Sequence, residues 1–399
     1  MMRFFVTLAC LLMIFSCSAQ TAQNNYVKLE CMIPMRDGVK LYTAIYVPKD
    51  SSEDYPVLMQ RTPYSCMPYG ETNYKRNLGP NRNFANEKYI YVYQDVRGRH
   101  RSEGMFKEMT PAIDSKQSNA DVDESSDTYD TVDWLLKNIQ HNNGKVGIYG
   151  ISYPGFYATA SLPHAHPAIA AVSPQAPVTD EFEGDDVYHR GAFFLMDNFS
   201  FDNFFDAPRD GPREKNPPVS DEVKIDDVYD FYLKTGPVKN LNDVYFKNKS
   251  KIWNEYLQHS TNDEYWQQRN IRKHLYNIKP ATLEVGGWFD AEDLFGALNT
   301  YQAIEKQNTG NDNMLIMGPW THGAWEAPDW NAFSTYSFGS NTSAAFQQME
   351  LNFFNYYLKD KGSFDNKEAT IFFTGINQWK FFSEWPPNEA KKTKWLLNE

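Results

Sequence analysis

One serine in this sequence lies where a serine nucleophile is commonly built. Gly150–Gly155, with the sequence GISYPG, directly follows the short apolar segment Lys145–Tyr149, which is typical of a buried strand. A helical stretch begins at Pro154, so Ser152 falls in a tight turn from strand to helix. Glycines leave room for such a turn, and the helix start supplies free N–H groups beside the hydroxyl. The segment therefore predicts a nucleophile at Ser152, although the last glycine comes one residue later than in the common G-x-S-x-G pattern.

A serine hydroxyl needs an imidazole base, and the imidazole needs a carboxylate to orient it. In hydrolases with this turn, the chain order is serine, acid, histidine. Asp290 follows the strand-like segment Ala281–Val285, and His322 follows Met314–Met317. Loops of this kind lie at the carboxyl ends of parallel strands, where open α/β sheets form their sites. Of the eight histidines, His322 alone comes after this acid, so the sequence predicts a triad of Ser152, Asp290 and His322.

Two tyrosines are candidates for the donors that stabilise an oxyanion. The backbone N–H of Tyr153 directly follows the serine and predicts the first donor. The second donor normally comes from the loop after an early strand, here Arg61–Ser65 (RTPYS). The hydroxyl of Tyr64 is the candidate in that loop. The alternative is that Tyr64, one of 25 tyrosines, is a packing residue.

Strand-like segments that could position these loops alternate with helical segments along most of the chain. Such repeating units predict an α/β fold with a mainly parallel sheet covered by helices on both faces. The strand-like segments are Val27–Met35, Val39–Val47, Pro56–Gln60, Tyr89–Gln94, Lys145–Tyr149, Ala168–Ser173, Ala281–Val285 and Met314–Met317. The helical segments are Thr128–Ile139, with Ser125, Ser126 or Asp127 as N-cap, Pro154–Ser161, Leu294–Gln307 and Ala344–Tyr357.

The alternation breaks twice. Residues 181–279 are rich in Asp, Asn, Phe and Tyr, and their periodic parts, Val223–Leu233 and Ile252–Gln258, are helical. This pattern predicts an inserted helical cap over the sheet. From Ala369 the sequence again changes, to the short strand-like segments Ile371–Phe373 and Trp379–Phe382, which predict the beginning of a β domain.

The composition excludes several classes of protein. A net charge of −12 and a pI of about 5.2 argue against nucleic-acid binding, which needs a basic surface. Four cysteines in 399 residues exclude a disulfide scaffold and a multi-cysteine metal cluster. Hydrophobic residues make up 41% of the chain, which permits a packed core. Aromatic residues make up 16%, and such side chains bury large areas and often line substrate pockets. The composition favours a globular enzyme.

The first residues indicate export. Met1–Arg3 is a short positive start, and the apolar run Phe4–Phe15 is too short to span a bilayer. Cleavage after Ala19 would give a periplasmic or secreted protein, whereas a lipoprotein box would leave a lipid anchor on Cys17; both interpretations remain open. Among the later cysteines, whether Cys31 and Cys66 pair is also open.

Five segments, in chain order, resemble the bacterial acyl hydrolases that include X-Pro dipeptidyl-peptidase, cocaine esterase and α-amino acid ester hydrolase. They are Arg61–Tyr64, Gln94–Arg99, Gly150–Gly155, Gly287–Asp290 and Gly318–Gly323. The resemblance extends from about Tyr26 to the C-terminus. It implies Ser152 as nucleophile, Asp290 as acid, His322 as base, and Tyr64 and Tyr153 as oxyanion donors. No cofactor or metal is expected.

The patterns described above and this resemblance together predict the organisation of the chain. We expect a signal peptide at 1–19 and an α/β-hydrolase core in two parts, 20–180 and 280–365. The helical cap occupies the insertion at 181–279. Residues 366–399 are expected to be the start of a truncated C-terminal jelly-roll domain.

Three further acids resemble the carboxylate cluster of α-amino acid ester hydrolases: Asp186, Glu292 and Asp293. Carboxylates beside an acyl pocket would attract a cationic α-ammonium group, each close pair contributing ~1–4 kcal/mol before desolvation. In the alternative interpretation these acids cap the helix that begins at Leu294, or hold a cation such as Ca²⁺.

The function expected from these residues is acyl transfer through an aminoacyl-enzyme. The substrates would be small esters or amides of α-amino acids, including β-lactam antibiotics with an α-amino acyl side chain. An X-Pro dipeptidyl-peptidase and a general carboxylesterase of the same family are the enzymatic alternatives, and a non-catalytic surface binding module is the other class. No nucleic-acid partner is expected, a membrane is contacted only through a lipid on Cys17, and a homo-oligomer remains open.

Overall fold

A ten-stranded, mostly parallel sheet forms the centre of the chain in the computed structural model, which describes residues 22–221, 223–364 and 367–396. The sheet order is β1-β2-β4-β3-β5-β6-β9-β10-β13-β14. Its strands are β1 (Tyr26–Pro34), β2 (Lys40–Pro48), β3 (Tyr55–Thr62), β4 (Ile90–Asp95), β5 (Asn142–Ile151), β6 (Ile169–Gln175), β9 (Ala281–Gly287), β10 (Asn313–Gly318), β13 (Ala369–Phe373) and β14 (Gln378–Phe382). Two short hairpins, β7 (Tyr188–His189) with β8 (Ala192–Phe193) and β11 (Ala332–Phe333) with β12 (Tyr336–Ser337), lie outside it.

Within the run β4-β3-β5-β6-β9-β10-β13 each pair of adjacent strands is parallel. At the two edges the pairs β1–β2, β2–β4 and β13–β14 are antiparallel. The helices within the described residues are α1 (Glu124–Asn138), α2 (Tyr153–Ala160), α3 (Leu195–Phe205), α4 (Val228–Thr235), α5 (Lys251–Gln258), α6 (Glu264–Arg269), α7 (Leu294–Gln307) and α8 (Thr342–Lys359). Helical turns occur at Arg82–Asn86, Lys239–Leu241, Asn242–Phe246, Ile271–His274 and Ala324–Glu326. The predicted alternation of strands and helices is confirmed.

Helix α1 begins one turn earlier than its apolar periodicity predicts. Asp123 is the N-cap: its carboxylate accepts a hydrogen bond from the Ser126 backbone N–H, and the Ser126 hydroxyl accepts one from the Asp123 N–H, both at 2.9 Å. This reciprocal capping box satisfies two N–H groups that the helix itself cannot pair. The expectation that Ser125, Ser126 or Asp127 caps the helix is therefore wrong, because the first turn is polar yet helical.

The two C-terminal strands extend the central sheet. β13 pairs in parallel with β10, with Leu315 opposite Ala369, and β14 pairs antiparallel with β13 at the sheet edge. Strand β13 is largely buried, as a strand inside a parallel sheet must be. These strands were expected to open a separate domain at 366; instead they complete the core sheet, and residues 383–396 have no helix or strand. The jelly-roll domain stays a prediction.

The segment between β6 and β9, for which a cap was predicted, carries helices α3 to α6. Its aromatic side chains pack against the loops that follow the core strands. Phe205 of α3 lies with its ring centroid 5.8 Å from that of Tyr64 and also 5.8 Å from that of Tyr153. The segment therefore covers the region around the start of α2.

The N-terminal features predicted from sequence are only partly described. The signal segment 1–19 and Cys17 lie outside the described residues. Among the residues that are described, no helix combines the length and hydropathy needed to cross a bilayer. Cys31 and Cys66 are free thiols, and the Cys66 thiol donates a hydrogen bond of 2.8 Å to Asp95 Oδ1.

The turn at the end of β5 is held in a strained conformation. Ser152 has φ 65° and ψ −127°, a region that side-chain-bearing residues rarely adopt. Its backbone N–H donates to Gln175 O at 2.9 Å, which ties the turn to the end of β6. A Cβ on Gly150 would lie 2.1 Å from the carbonyl oxygen of Pro154. The turn thus requires glycine at 150, and it presents Ser152 at the carboxyl edge of the sheet.

Replacing Gly150 with alanine should destabilise the protein, because the added methyl group would clash with the backbone of Pro154. We expect G150A to lower the free energy of unfolding by about 2–4 kcal/mol. Gly211 has open space around it and no left-handed backbone, so G211A should change the same quantity by less than about 0.5 kcal/mol. Urea unfolding of both variants checks this. Equal stability of the two variants would contradict the account of the turn.

Candidate active site

The loops after β5, β9 and β10 meet at one edge of the sheet. The backbone N–H of Trp288 donates to Gly318 O at 2.8 Å, and that of Phe289 donates to Trp320 O at 2.9 Å. A Cβ on Gly323 would lie 4.0 Å from Ile151 Cγ2, so the loop that carries His322 is also next to the serine turn. Parallel strand pairing thus brings together three segments that are far apart in sequence, as predicted.

Asp290 orients His322. The Oδ2 atom of Asp290 lies 2.9 Å from Nδ1 of His322, while Oδ1 accepts the backbone N–H groups of Glu292 at 2.9 Å and Asp293 at 3.1 Å. The Asp290 side chain is fully buried, and that of His322 is 21% exposed. One carboxylate oxygen is therefore fixed by the backbone and the other holds the imidazole, leaving Nε2 as the nitrogen available to the site.

The serine hydroxyl is not yet joined to the imidazole. Among the described residues, no hydrogen bond links Ser152 with His322; instead, Nε2 of His322 lies 3.6 Å from Glu292 Oε2. Such contacts are often long in unliganded enzymes and shorten when substrate binds. The structure thus brings the three predicted triad residues to one edge of the sheet and joins two of them directly.

Acidic neighbours keep His322 charged. Burial disfavours the imidazolium, but the hydrogen bond to Asp290 and the charges of Asp290, Glu292 and Asp186 outweigh it and raise the pKa of His322 to about 9. At neutral pH the ring therefore carries two protons. A base in this state must lose a proton before it can accept one from a serine.

The three acids of the predicted cluster meet around His322 and Tyr64. Burial, reinforced by the charge of Glu292, raises the pKa of Asp186 to about 8. Burial also raises the pKa of Glu292, whose side chain is 35% exposed, and more strongly that of Asp293. The charges of Asp186, Asp293 and Glu292, together with burial, raise the pKa of the Tyr64 hydroxyl well above its ordinary value. The cluster therefore lies beside both the base and the candidate oxyanion donor.

The two alternative interpretations of the cluster were a helix cap and a cation site. Asp293 is the N-cap residue of α7, but its side chain makes no capping hydrogen bond. Within the described chain, both of its carboxylate oxygens are buried and accept no hydrogen bond. Ligand atoms of Glu292, Asp293 and His322 do lie within 4.8 Å of one another. A metal there would engage the base itself while Asp290 already holds Nδ1, so we interpret the group as an electrostatic cluster.

Asp197 is a cluster member that the sequence did not reveal. It lies in α3, and its charge raises the pKa values of both Asp186 and Glu292. Burial raises its own pKa, while the charge of His322 opposes that shift. Asp197 belongs to no recognisable motif, and its helix has little amphipathic pattern, so only the tertiary packing of the cap identifies it.

The two candidate oxyanion donors occupy different positions. The ring of Tyr153 is buried, and its hydroxyl accepts a hydrogen bond from the Met109 backbone N–H at 3.1 Å. Its contribution would thus come from the backbone N–H at the start of α2, where helical N–H groups are unpaired. Tyr64 is 39% exposed and packs edge-to-face on Tyr153 with 6.3 Å between ring centroids. The acids of the cluster act electrostatically on its hydroxyl.

Comparison with known proteins identifies the family. Residues 37–324 match the family described as X-Pro dipeptidyl-peptidase (S15 family). The chain belongs to this family. Cocaine esterase from Rhodococcus sp. (strain MB1 Bresler) is 25% identical over 391 residues, covering 94% of this chain and 62% of that protein. The resemblance stated from the motifs is therefore confirmed.

Solved structures show the same fold. An aminopeptidase from a marine sediment archaeon, Thaumarchaeota archaeon, superposes with a TM-score of 0.80 at 32% identity, covering 92% of this chain and 60% of its own. An α-amino acid ester hydrolase gives a TM-score of 0.80 at 33% identity, with 91% and 59% covered. The chain thus has the α/β-hydrolase fold of this family. It spans about 60% of the length of each of these proteins.

Proposed function

We propose that this chain is a serine hydrolase that cleaves esters or amides of α-amino acids through an aminoacyl-enzyme. The observation that carries the proposal is the group of carboxylates, Asp186, Glu292 and Asp293, gathered around an imidazole that Asp290 orients. A plain esterase needs only the oriented imidazole. The additional acids fit a substrate with a positive charge beside its reacting carbonyl.

The proposed reaction has two acyl-transfer steps. Ser152 Oγ attacks the carbonyl carbon while its proton passes to Nε2 of His322, and the backbone N–H of Tyr153 and the Tyr64 hydroxyl donate to the oxyanion. The tetrahedral adduct collapses as the same proton moves to the leaving alcohol or amine. Water, or an amine that acts as acyl acceptor, then attacks the aminoacyl-serine with His322 again as base. The proton returns to Ser152, so the enzyme is regenerated.

The ammonium group defines the proposed substrate class. Two or three partly buried carboxylates would hold it far more strongly than surface acids do, because water screens them less. The same charges would repel anionic acyl groups. The α-amino acid ester hydrolase among the solved neighbours supports this assignment. We include β-lactam antibiotics with an α-amino acyl side chain among the substrates, since they carry the same ammonium and amide.

An aminopeptidase is the second candidate. The aminopeptidase of similar structure, at 32% identity, favours it. The free N-terminus of a peptide is also an ammonium group. It lies next to the scissile bond when one residue is removed and one residue further away when a dipeptide is removed, so the carboxylate cluster could bind it in either reaction. The two candidates therefore differ in the leaving group and in the length of the acyl part.

Export remains part of the proposal on the evidence of residues 1–19 alone. Their charge and apolar pattern favour transfer across the inner membrane. The protein would then be periplasmic or secreted, or tethered through Cys17.

Replacing Asp186 with asparagine tests the ammonium site. We expect D186N to lower kcat/KM for phenylglycine methyl ester by about 10–100-fold, since a charge-assisted contact is worth ~1.5–3 kcal/mol. Methyl phenylacetate, which lacks only the amine, should lose no activity, because removing the Asp186 charge lowers the pKa of His322 and so leaves more of the imidazole neutral. Initial rates with both esters check this, with D243N, an exposed acid of the cap, as control. Equal loss on both esters would contradict the ammonium site.

The same substrate panel separates the two candidate functions when Gly-Pro-p-nitroanilide is added. An ester hydrolase should turn over phenylglycine methyl ester with the higher kcat/KM. The reverse order would favour the peptidase. In either case D186N should impair the substrates that carry a free amine.

The pH dependence of a neutral ester tests the role of His322. Its raised pKa keeps the imidazole protonated at neutral pH, and only the neutral ring can accept the Ser152 proton. The kcat/KM for methyl phenylacetate should therefore rise with pH and level off above about 9, with roughly a hundredth of the plateau value at pH 7. Initial rates from pH 6 to 10 check this. A plateau already reached at pH 7 would contradict it.

A further inference from the structure

Glu292 faces the ring nitrogen of His322 that acyl transfer needs. Its Oε2 atom lies 3.6 Å from Nε2, while Asp290 holds Nδ1 at 2.9 Å. Both nitrogens of the imidazole therefore face carboxylates. In this arrangement the imidazole is favoured as an imidazolium, which is the protonation state that cannot activate Ser152.

The groups that act electrostatically on this imidazole are acids. Asp290 and Glu292 belong to the loop after β9, and Asp293 Oδ2, at the start of α7, lies 3.9 Å from Nδ1. From the cap side, Asp186 and Asp197 act on the same ring. Tyr64 is the remaining titratable side chain of the cluster. The charge of Arg99 acts on its hydroxyl and opposes the rise in its pKa. The imidazolium is thus the positive charge around which the carboxylates gather.

We propose that Glu292 couples substrate recognition to activation of the base: an α-ammonium group bound at Asp186 and Glu292 draws Glu292 away from Nε2 of His322 and replaces the imidazolium as the cation of the cluster. The inference rests on the proposed ammonium site and assigns to Glu292 a positioning role within it. The Nε2–H bond breaks, its electron pair stays on the nitrogen, and the proton leaves to solvent; no other covalent bond changes. The exposed lone pair of Nε2 then accepts the proton of Ser152.

Selectivity for cationic substrates would then arise in kcat as well as in binding. An α-amino ester carries the charge that deprotonates its own catalytic base. With a neutral ester of the same shape, Glu292 stays in contact with Nε2 of His322. Such an ester reacts only with the small fraction of enzyme molecules whose imidazole is neutral. The raised pKa of His322, to which Glu292 contributes, agrees with this picture.

The test has to resolve His322 from its neighbours. Asp186, Glu292 and Asp293 also have raised pKa values, so a ligand cation could release protons from them, and a count of released protons would not identify the source. A titration that follows the imidazole of His322 alone avoids this ambiguity. The ¹³Cε1–H resonance of labelled histidine reports that ring, and its absence from the spectrum of H322N assigns it.

The experiment compares benzylamine, an inert ammonium, with benzyl alcohol, its neutral counterpart, on the full-length protein. In the wild type, saturating benzylamine should lower the pKa of His322 by roughly one to two units, whereas benzyl alcohol should leave it unchanged. In E292Q the pKa should already be lower without ligand and should respond to benzylamine by less than half as much. The resonances of the other histidines show whether the variant is folded.

The outcomes separate this inference from the proposed function. Benzylamine that binds, as seen from saturable shifts of other resonances, without moving the His322 pKa would overturn the coupling and leave the ammonium site standing. An undiminished shift in E292Q would overturn the role of Glu292. Failure of benzylamine to bind the wild type would overturn both the coupling and the ammonium site on which it rests.

Discussion

The buried carboxylate of Asp290 is the group on which the site depends. One of its oxygens accepts the backbone N–H groups of Glu292 and Asp293, the two residues that directly precede α7. The other oxygen fixes the imidazole of His322. A single side chain therefore fixes both the backbone at Glu292 and Asp293 and the orientation of the imidazole. Both oxygens of this buried carboxylate are therefore hydrogen-bonded, as a buried polar group requires.

The surrounding electrostatics follow from that arrangement. The surrounding acids stabilise the protonated form of His322. At neutral pH only a small fraction of the molecules would therefore have the neutral imidazole that can accept a proton from Ser152. A cationic substrate would relieve this conflict, because it supplies the charge that the cluster requires. Recognition and activation would then be two consequences of the same set of carboxylates. In the proposed mechanism the strained turn fixes Ser152 as the nucleophile, and the imidazole of His322 is the group that changes its protonation state.

Local patterns of the sequence specified much of this structure. Apolar periodicity predicted α7 with its observed bounds, and the alternation of strands and helices predicted the parallel sheet. It also placed Asp290 and His322 on neighbouring loops, because the carboxyl ends of parallel strands share one edge. The carboxylate cluster came from resemblance to known motifs and could not be derived from spacing, since all four cap helices, α3 to α6, lie between Asp186 and Glu292 in the sequence.

What the sequence missed depends on contacts between distant segments. The pairing of β13 with β10 is non-local, so short strands near the C-terminus were assigned to a new domain and not to the core sheet. Asp197 joins the cluster only because the cap folds over the loops. The helix start at Asp123 was missed for a different reason: its capping box lies in a polar first turn, where apolar periodicity carries no signal.

The most direct measurement is covalent labelling with a fluorophosphonate, followed by peptide mass spectrometry. Such a probe reacts only with a hydroxyl that a neighbouring base activates. The account predicts one adduct, on Ser152, that is absent in S152A, slower to form in D290N and unchanged in S200A, which alters an exposed serine of α3. An adduct on another residue, or no adduct on the folded protein, would contradict the claim that the three loops form an active site.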